Sequence, residues 1–286
     1  TIITDASIEA GVTLTPYIAK RTRVNVYMPI YVYDFNIGNG YTELLSSYNN
    51  VYKFGDNSEG QFGYDDISES NLPTQIHPRV YNYERVKQII SSSTHSAILT
   101  ASNKLYLYGN NDYGQLGTGD TVRRVEPVLL ILPDLQEVDR VYLGENNTVV
   151  ISKLGYVYVF GDNRYGQLGL GDYENRLIPT QLAAESYGNS VPKQVVINGG
   201  VMALINGNNE LYVTGRNDSG QLGLASAETK FNTLQLNNKV NNVLSVHLGN
   251  DHSAIIDTDG NVYLFGANAK GQLGFGNTTS YYVPTL

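Results

Sequence analysis

Few side chains in this sequence are placed to do chemistry. The chain has 286 residues, with four His and neither Cys nor Trp. Without Cys there is no disulfide framework and no thiolate-ligated zinc or iron–sulfur centre. Gly166, Gly169 and Gly171 make a G-x-x-G-x-G run of the kind that cradles phosphate. No G-K-[ST] follows it and no helical pattern begins there, so a turn is expected. Asp257-Thr258-Asp259-Gly260-Asn261 opens like a calcium loop, but its twelfth position is Asn268, where a bidentate Glu is required. His95 and His252 occupy one repeating position, which reads as structural. No H-E-x-x-H or G-x-S-x-G occurs. The acidic group Asp56, Glu59, Asp65, Asp66 and Glu69 reads as solvated loop. The expectation is a protein that is not an enzyme and takes no metal or cofactor.

Recognition is better served than catalysis. Five short loops share the pattern G-x-N-x-x-G-Q-[LF]-G, and the two residues between Asn and the second Gly vary freely. They are Ser58-Glu59, Asp112-Tyr113, Arg164-Tyr165, Asp218-Ser219 and Ala269-Lys270. Tyr and Arg are the usual anchors of protein interfaces. Tyr113, Arg164 and Tyr165, flanked by Asp112 and by Glu59, are therefore the candidate partner-binding residues. The net charge of −8 opposes a phosphate-tracking surface, so DNA is not an expected partner.

The elements that must hold these loops follow from the repeat. The motif starts at Gly55, Gly109, Gly161, Gly215 and Gly266, spacings of 54, 52, 54 and 51 residues. Just upstream stand VYKF, LYLY, VYVF, LYVT and VYLF, which put Tyr52, Tyr106, Tyr158, Tyr212 and Tyr263 in one column. Before each lies a second apolar run (YTELLSS, HSAILTA, NTVVISK, VMALING, HSAIIDT), separated from the first by Asn and Gly residues suited to a tight hairpin. A further β-rich run precedes each hairpin. A Pro-bearing run follows most motifs, and Pro restricts that strand to a sheet edge. Four short antiparallel strands per ~50 residues is the signature of a propeller blade. The expected fold is an all-β, five-bladed propeller over residues 29–286, with residues 1–28 as an N-terminal extension.

The recurring residues read as scaffold. The glycines supply positive φ or close approach. The Asn column caps loop backbone, the Gln column bonds a neighbouring turn, and the Tyr column packs between blades. Glu43 breaks its column, which is otherwise Ala97, Val149, Ala203 and Ala254. A buried carboxylate needs a partner. The expectation is a first blade locally opened at a seam, with pairing to Arg21 or Arg23 as the alternative. The last run, YVPTL, is expected to pair with the first blade and close the ring. Val24 to Tyr27 alternate like a strand, so the extension is expected to lie across the seam or to add to a sheet edge elsewhere.

The VY-x-F-G-x-N-x-x-G-Q-L-G block, with G-x-x-H-S-A upstream, resembles the regulator of chromosome condensation repeat. Gly249 to Gly274 and Leu105 to Gly119 carry the resemblance best. It implies a propeller, typically of seven blades, where this chain has five repeats. It also implies a range of roles: nucleotide exchange on a small GTPase, chromatin binding, ubiquitin-ligase scaffolding, light sensing and inhibition of a bacterial enzyme. Exchange factors of the family carry an inserted wedge hairpin, for which the even repeat spacing leaves no room. Its chromatin readers are basic and its light sensors need Trp. The sequence therefore points to a protein-interaction module or scaffold, with exchange on a small GTPase as the alternative. No run approaches the ~18 apolar residues of a membrane span. Residues 1–20 lack the features of a secretion leader. An intracellular, cytoplasmic location is expected, with a virus particle or host-cell compartment as the alternative.

Overall fold

A computed structural model describes residues 31–58, 60, 62–63 and 69–286. Among these, twenty strands form five four-stranded antiparallel sheets, each built from consecutive strands. The first sheet is β1 (Val32–Ile37), β2 (Tyr41–Ser46), β3 (Val51–Gly55) and β4 (Ser70–Gln75); the second is β5 (Val86–Ser91), β6 (His95–Thr100), β7 (Leu105–Gly109) and β8 (Arg124–Leu129). The third is β9 (Val138–Leu143), β10 (Asn147–Ser152), β11 (Val157–Gly161) and β12 (Arg176–Gln181); the fourth is β13 (Gln194–Asn198), β14 (Val201–Ile205), β15 (Leu211–Arg216) and β16 (Lys230–Asn237). The fifth is β17 (Val243–Leu248), β18 (His252–Asp257), β19 (Val262–Gly266) and β20 (Tyr281–Thr285). The architecture is a five-bladed β-propeller.

The hairpin turns follow from residue type. Asn49, Asn103, Gly155, Asn209 and Gly260, one per blade, all have φ between 61° and 86°. That left-handed conformation suits Asn and Gly and brings the second and third strands together. In the second and third blades those two strands are covered on both faces, so they read as nearly continuous apolar runs; every residue of β6, β7, β10 and β11 is buried. Proline falls on the outer strand of four blades (Pro73, Pro127, Pro179, Pro284), where no further strand needs its missing N–H.

Four apolar clusters hold consecutive blades together. Between the second and third blades, Ala97, Leu99, Leu105 and Leu107 pack on Val138, Val141, Val150, Tyr158 and Phe160. Equivalent clusters join the first to the second, the third to the fourth and the fourth to the fifth.

Two expectations are corrected. YVPTL forms β20 and pairs with β19 inside the fifth blade. The first blade has its own fourth strand in β4, paired with β3. The last strand thus completes the last blade, because each motif is followed by the outer strand of the same sheet.

The second correction concerns Glu43. Its blade is not opened: Glu43 is fully buried, and its carboxylate lies 2.7 Å from the ammonium of Lys53, also fully buried. The two residues face each other directly across β2 and β3. Tyr108 Oη donates to the carboxylate at 2.7 Å, and Ser91 Oγ donates to its other oxygen. Lys53 Nζ also donates to Ser96 Oγ at 3.0 Å and sits 4.3 Å from the centre of the Tyr108 ring. Burial pushes the Lys53 ammonium down to about 8, against the opposing pull of Glu43. Arg21, Arg23 and the strand-like segment at residues 24–27 lie outside the described residues.

Candidate functional site

The G-x-N-x-x-G-Q-L-G loop is a small hydrogen-bonded knot, and its recurring residues tie it. Asn163 Oδ1 accepts from Leu168 N at 3.0 Å, while its Nδ2 donates to Asp172 O at 3.0 Å. Asn57, Asn111, Asn217 and Asn268 accept from the residue five positions on in the same way. Gln167 Oε1 accepts from Tyr165 N at 2.9 Å, as Gln115 does from Tyr113. All five Asn are buried. The recurring Asn and Gln thus fix the backbone, and the two variable residues stand on a rigid base.

His95, in the shared His column, is enclosed. Its ring nitrogens meet Ser92 Oγ at 2.9 Å and Thr148 Oγ1 of the next blade at 2.9 Å. Burial pushes its pKa down to about 3. It is a neutral, inter-blade hydrogen-bonding group.

On these loops the variable residues of neighbouring blades interlock. The Arg164 guanidinium of the third blade lies 4.8 Å from the centre of the Tyr113 ring of the second. The Arg216 guanidinium of the fourth blade lies 5.9 Å from the centre of the Tyr165 ring of the third. Each arginine is also clamped by carboxylate. Arg164 Nε and Nη2 reach Asp162 at 3.0 and 2.9 Å. Arg216 donates to Asp218 and Asp251, each at 2.8 Å. The bond to Asp162 holds the Arg164 guanidinium above its ordinary range. For Arg216, partial burial opposes the charge and the two aspartates outweigh it, so its pKa also rises.

Beside this ladder opens a polar cleft of about 400 Å³. Its walls include Glu145, Asp162, Arg164, Tyr165, Arg216 and Asp251. One wall is the turn between β13 and β14, Gly199-Gly200, where the third blade has Glu145-Asn146 and the fifth Asn250-Asp251. A Cβ on Gly200 would fall 2.8 Å from the Tyr165 ring. The cleft therefore offers planar hydrogen-bond donors, carboxylates and aromatic faces on a fixed frame.

Of the candidate residues, Tyr113, Arg164 and Tyr165 come together. Asp112 is exposed and is held by Asn110, whose Nδ2 donates to it at 3.0 Å, so it stands apart from the ladder. Glu59 lies outside the described residues. Arg216, Asp251 and the Gly199-Gly200 turn are additions. Arg216 was visible as the odd residue after the first Gly of its motif, where the other copies carry Asp56, Asn110, Asp162 and Ala267. No group of three or more His, Asp or Glu arranged to hold a metal occurs among the described residues. None of their helices is long and apolar enough to cross a membrane.

Residues 12–286 match the family model described as RCC1-like domain. The chain is 32% identical over 240 residues to the ultraviolet-B receptor UVR8 of Arabidopsis thaliana, covering 82% of this chain and 53% of that protein. It is 30% identical over 302 residues to the X-linked retinitis pigmentosa GTPase regulator of Homo sapiens, covering 87% of this chain and 29% of that protein. It thus spans about half or less of these relatives. Among solved structures, human WBSCR16 superposes with a TM-score of 0.75 at 23% identity, over 89% of this chain and 66% of that one. Yeast RCC1 (Prp20), solved with Kap60, superposes with a TM-score of 0.56 at 17% identity, over 89% of this chain and 74% of that one.

Proposed function

The chain belongs to the RCC1-like domain family, and on that footing we propose that it is a non-catalytic protein–protein interaction module or scaffold. The observation that carries this reading is the Tyr113–Arg164 and Tyr165–Arg216 ladder with its adjoining cleft. Half-exposed cation–π contacts and exposed ion pairs contribute only about 0.5–1 kcal/mol each, and the buried Asp162 carboxylate also accepts from the Arg164 backbone N–H at 3.0 Å. The fold does not depend on them. Yet they place two arginines and two tyrosines, the residue types that dominate interface energetics, side by side with their rotamers already fixed.

The partner is a protein whose contact surface offers groups for planar arginines and for the cleft carboxylates. A small GTPase is the alternative partner, with nucleotide exchange the alternative activity. That reading is supported by one relative's name as a GTPase regulator, and by yeast Prp20p, whose binding to Gsp1p and to histones is described with its structure. An intracellular location accompanies the proposal, with a virus particle or host-cell compartment as the alternative. The test is affinity capture with quantitative mass spectrometry, comparing the native chain with the double variant Arg164→Ala/Arg216→Ala. A partner held by the native chain and lost by the variant supports the reading; equal capture by both sinks it. Nucleotide release from a panel of small GTPases runs alongside, and acceleration by the chain would replace the scaffold reading with exchange.

A further inference from the structure

The two arginines beside the cleft are largely spent inside the chain, and the charge left unspent there is negative. Arg164 Nε and Nη2 both reach Asp162, while Arg216 gives Nε to Asp218 and Nη1 to Asp251. Each guanidinium also lies over a tyrosine ring of the preceding blade. An incoming anion would therefore meet guanidiniums already neutralised, with carboxylate oxygens 2.8–3.0 Å from their nitrogens. Its own charge would stand beside those carboxylates, and like charges juxtaposed at an interface are strongly unfavourable.

Four carboxylates stand against these two guanidiniums: Asp162, Asp218, Asp251 and Glu145. The first three hold arginine. Glu145 is exposed, and its carboxylate makes no hydrogen bond or ion pair with any described residue. Only its backbone oxygen is engaged, accepting from Thr94 Oγ1. Asp251 holds Arg216 through Oδ1 alone, and no described residue donates to its Oδ2. Glu145 comes from the turn between β9 and β10 in the third blade, Asp251 from the turn between β17 and β18 in the fifth. Both border the one cleft of about 400 Å³. The corresponding turn of the fourth blade, Gly199-Gly200, is one residue shorter than theirs and brings no side chain to it. Two carboxylates with free lone pairs thus border a common space from different blades.

Resting on the reading of the loop face as an interaction surface, we propose that the cleft takes a cationic side chain, arginine or lysine, from a loop of the protein partner, with Glu145 and the free oxygen of Asp251 as its acceptors. A guanidinium suits this arrangement because its fork gives separate N–H groups to two carboxylates. An ammonium, with three donors, can do the same. Arg164 Nη1 and Arg216 Nη2 have no acceptor among the described residues. They remain for neutral oxygens, such as the backbone carbonyls of the same partner loop. Glu145 is then the residue that tells a basic partner from an acidic one. Its charge is exposed, so the contact weakens as salt rises.

NMR titration with three capped pentapeptides, Gly-Gly-Arg-Gly-Gly and its Lys and Glu counterparts, tests the cleft directly. The Arg and Lys peptides should shift the amide resonances of Glu145, Gly199, Gly200 and Asp251, and the Glu peptide should not. Glu145→Gln should weaken the Arg peptide about 2- to 5-fold, the size of one exposed ion pair. Glu145→Lys should weaken it further. Glu185→Lys, the same change at an exposed carboxylate in the connection between β12 and β13, should leave it unchanged. Both glutamates are exposed, so these variants keep the native melting temperature. Arg and Lys peptides that leave the cleft resonances unmoved overturn the proposal. So do equal shifts by the Glu peptide, or an effect of Glu185→Lys as large as that of Glu145→Lys. Partner capture separates this from the interaction reading. A partner lost by Arg164→Ala/Arg216→Ala but kept in full by Glu145→Lys sinks the basic-residue proposal and leaves that reading standing. Loss by both supports both. Equal capture by the native chain and Arg164→Ala/Arg216→Ala sinks the reading, and the titration alone then decides what the cleft takes.

Discussion

Replacing Lys53 with Leu, the residue at the matching position of the second blade (Leu107), should destabilise the protein by about 3–5 kcal/mol. The magnitude comes from what is left behind. Glu43 would remain fully buried with Tyr108 and Ser91 as donors but no counter-ion 2.7 Å away. An isolated buried carboxylate is far costlier than the pair. Replacing Glu43 with Ala as well, so that the blade has the Ala and Leu of its neighbour, should recover most of the loss. What stays uncompensated is mainly the Tyr108 hydroxyl, at roughly 1–3 kcal/mol for an unsatisfied buried group. Denaturant unfolding of the native chain, both single variants and the double variant closes the cycle, with a coupling of about 2 kcal/mol or more expected. The pH dependence adds a second readout. Lys53 is pushed down to about 8 in the fold from an ordinary 10.5. Between those values the unfolded chain binds more protons, so the Lys53 contribution rises with pH from 8 toward 10.5. Above about 10, Tyr41 and Tyr108, both raised by burial, act in the opposite sense. The slope between pH 8 and 10 should vanish in Lys53→Leu. A cost below about 1 kcal/mol for the single variant, or a double variant no better than the sum of the singles, would refute the reasoning.

His95 should make the protein acid-labile. Its folded pKa is pushed down to about 3, below an ordinary 6.5, so its contribution is complete above 6.5 and is lost as pH falls toward 3, at up to about 1.4 kcal/mol per pH unit; thermal melts of His95→Gln over that range should show a shallower slope. Asn163→Ala should cost about 2–4 kcal/mol, because it strands the Leu168 N–H and the Asp172 carbonyl inside the knot, whereas Asp112→Ala should fall within about 0.5 kcal/mol. Urea unfolding of the two variants decides. The double variant Arg164→Ala/Arg216→Ala should lose no more than about 2 kcal/mol of stability in the same assay, since its contacts are half-exposed.

What was legible in the sequence was whatever the repeat enforces five times. Asn49, Asn103, Gly155, Asn209 and Gly260 mark their hairpins because positive φ restricts residue type. The Asn and Gln columns declare their loop bonds because no other side chain of that size both donates and accepts there. The Glu43 anomaly is visible in the sequence, and so is the residue that answers it. Lys53 breaks its own column, Leu107, Val159, Val213 and Leu264, in the same blade, and the hairpin register places it opposite Glu43. Three of the four ladder residues, Tyr113, Arg164 and Tyr165, lie in the variable pair of their loops; Arg216 lies two positions before its own pair, where its only signal is a residue type that breaks the column. The cleft was hidden for a different reason: its walls come from loops of three blades, far apart in the sequence.

The loop face that carries Arg164 and Arg216 is the surface proposed to be covered by a partner. Hydrogen-exchange mass spectrometry of the chain alone and with its captured partner tests this most directly. Slowed exchange is expected in peptides spanning residues 110–117, 162–169, 198–200, 215–222 and 250–252, with the outer strands β8, β12 and β16 unchanged. Protection confined to those outer strands, with the Arg164 and Arg216 loops exchanging as in the free chain, would contradict it.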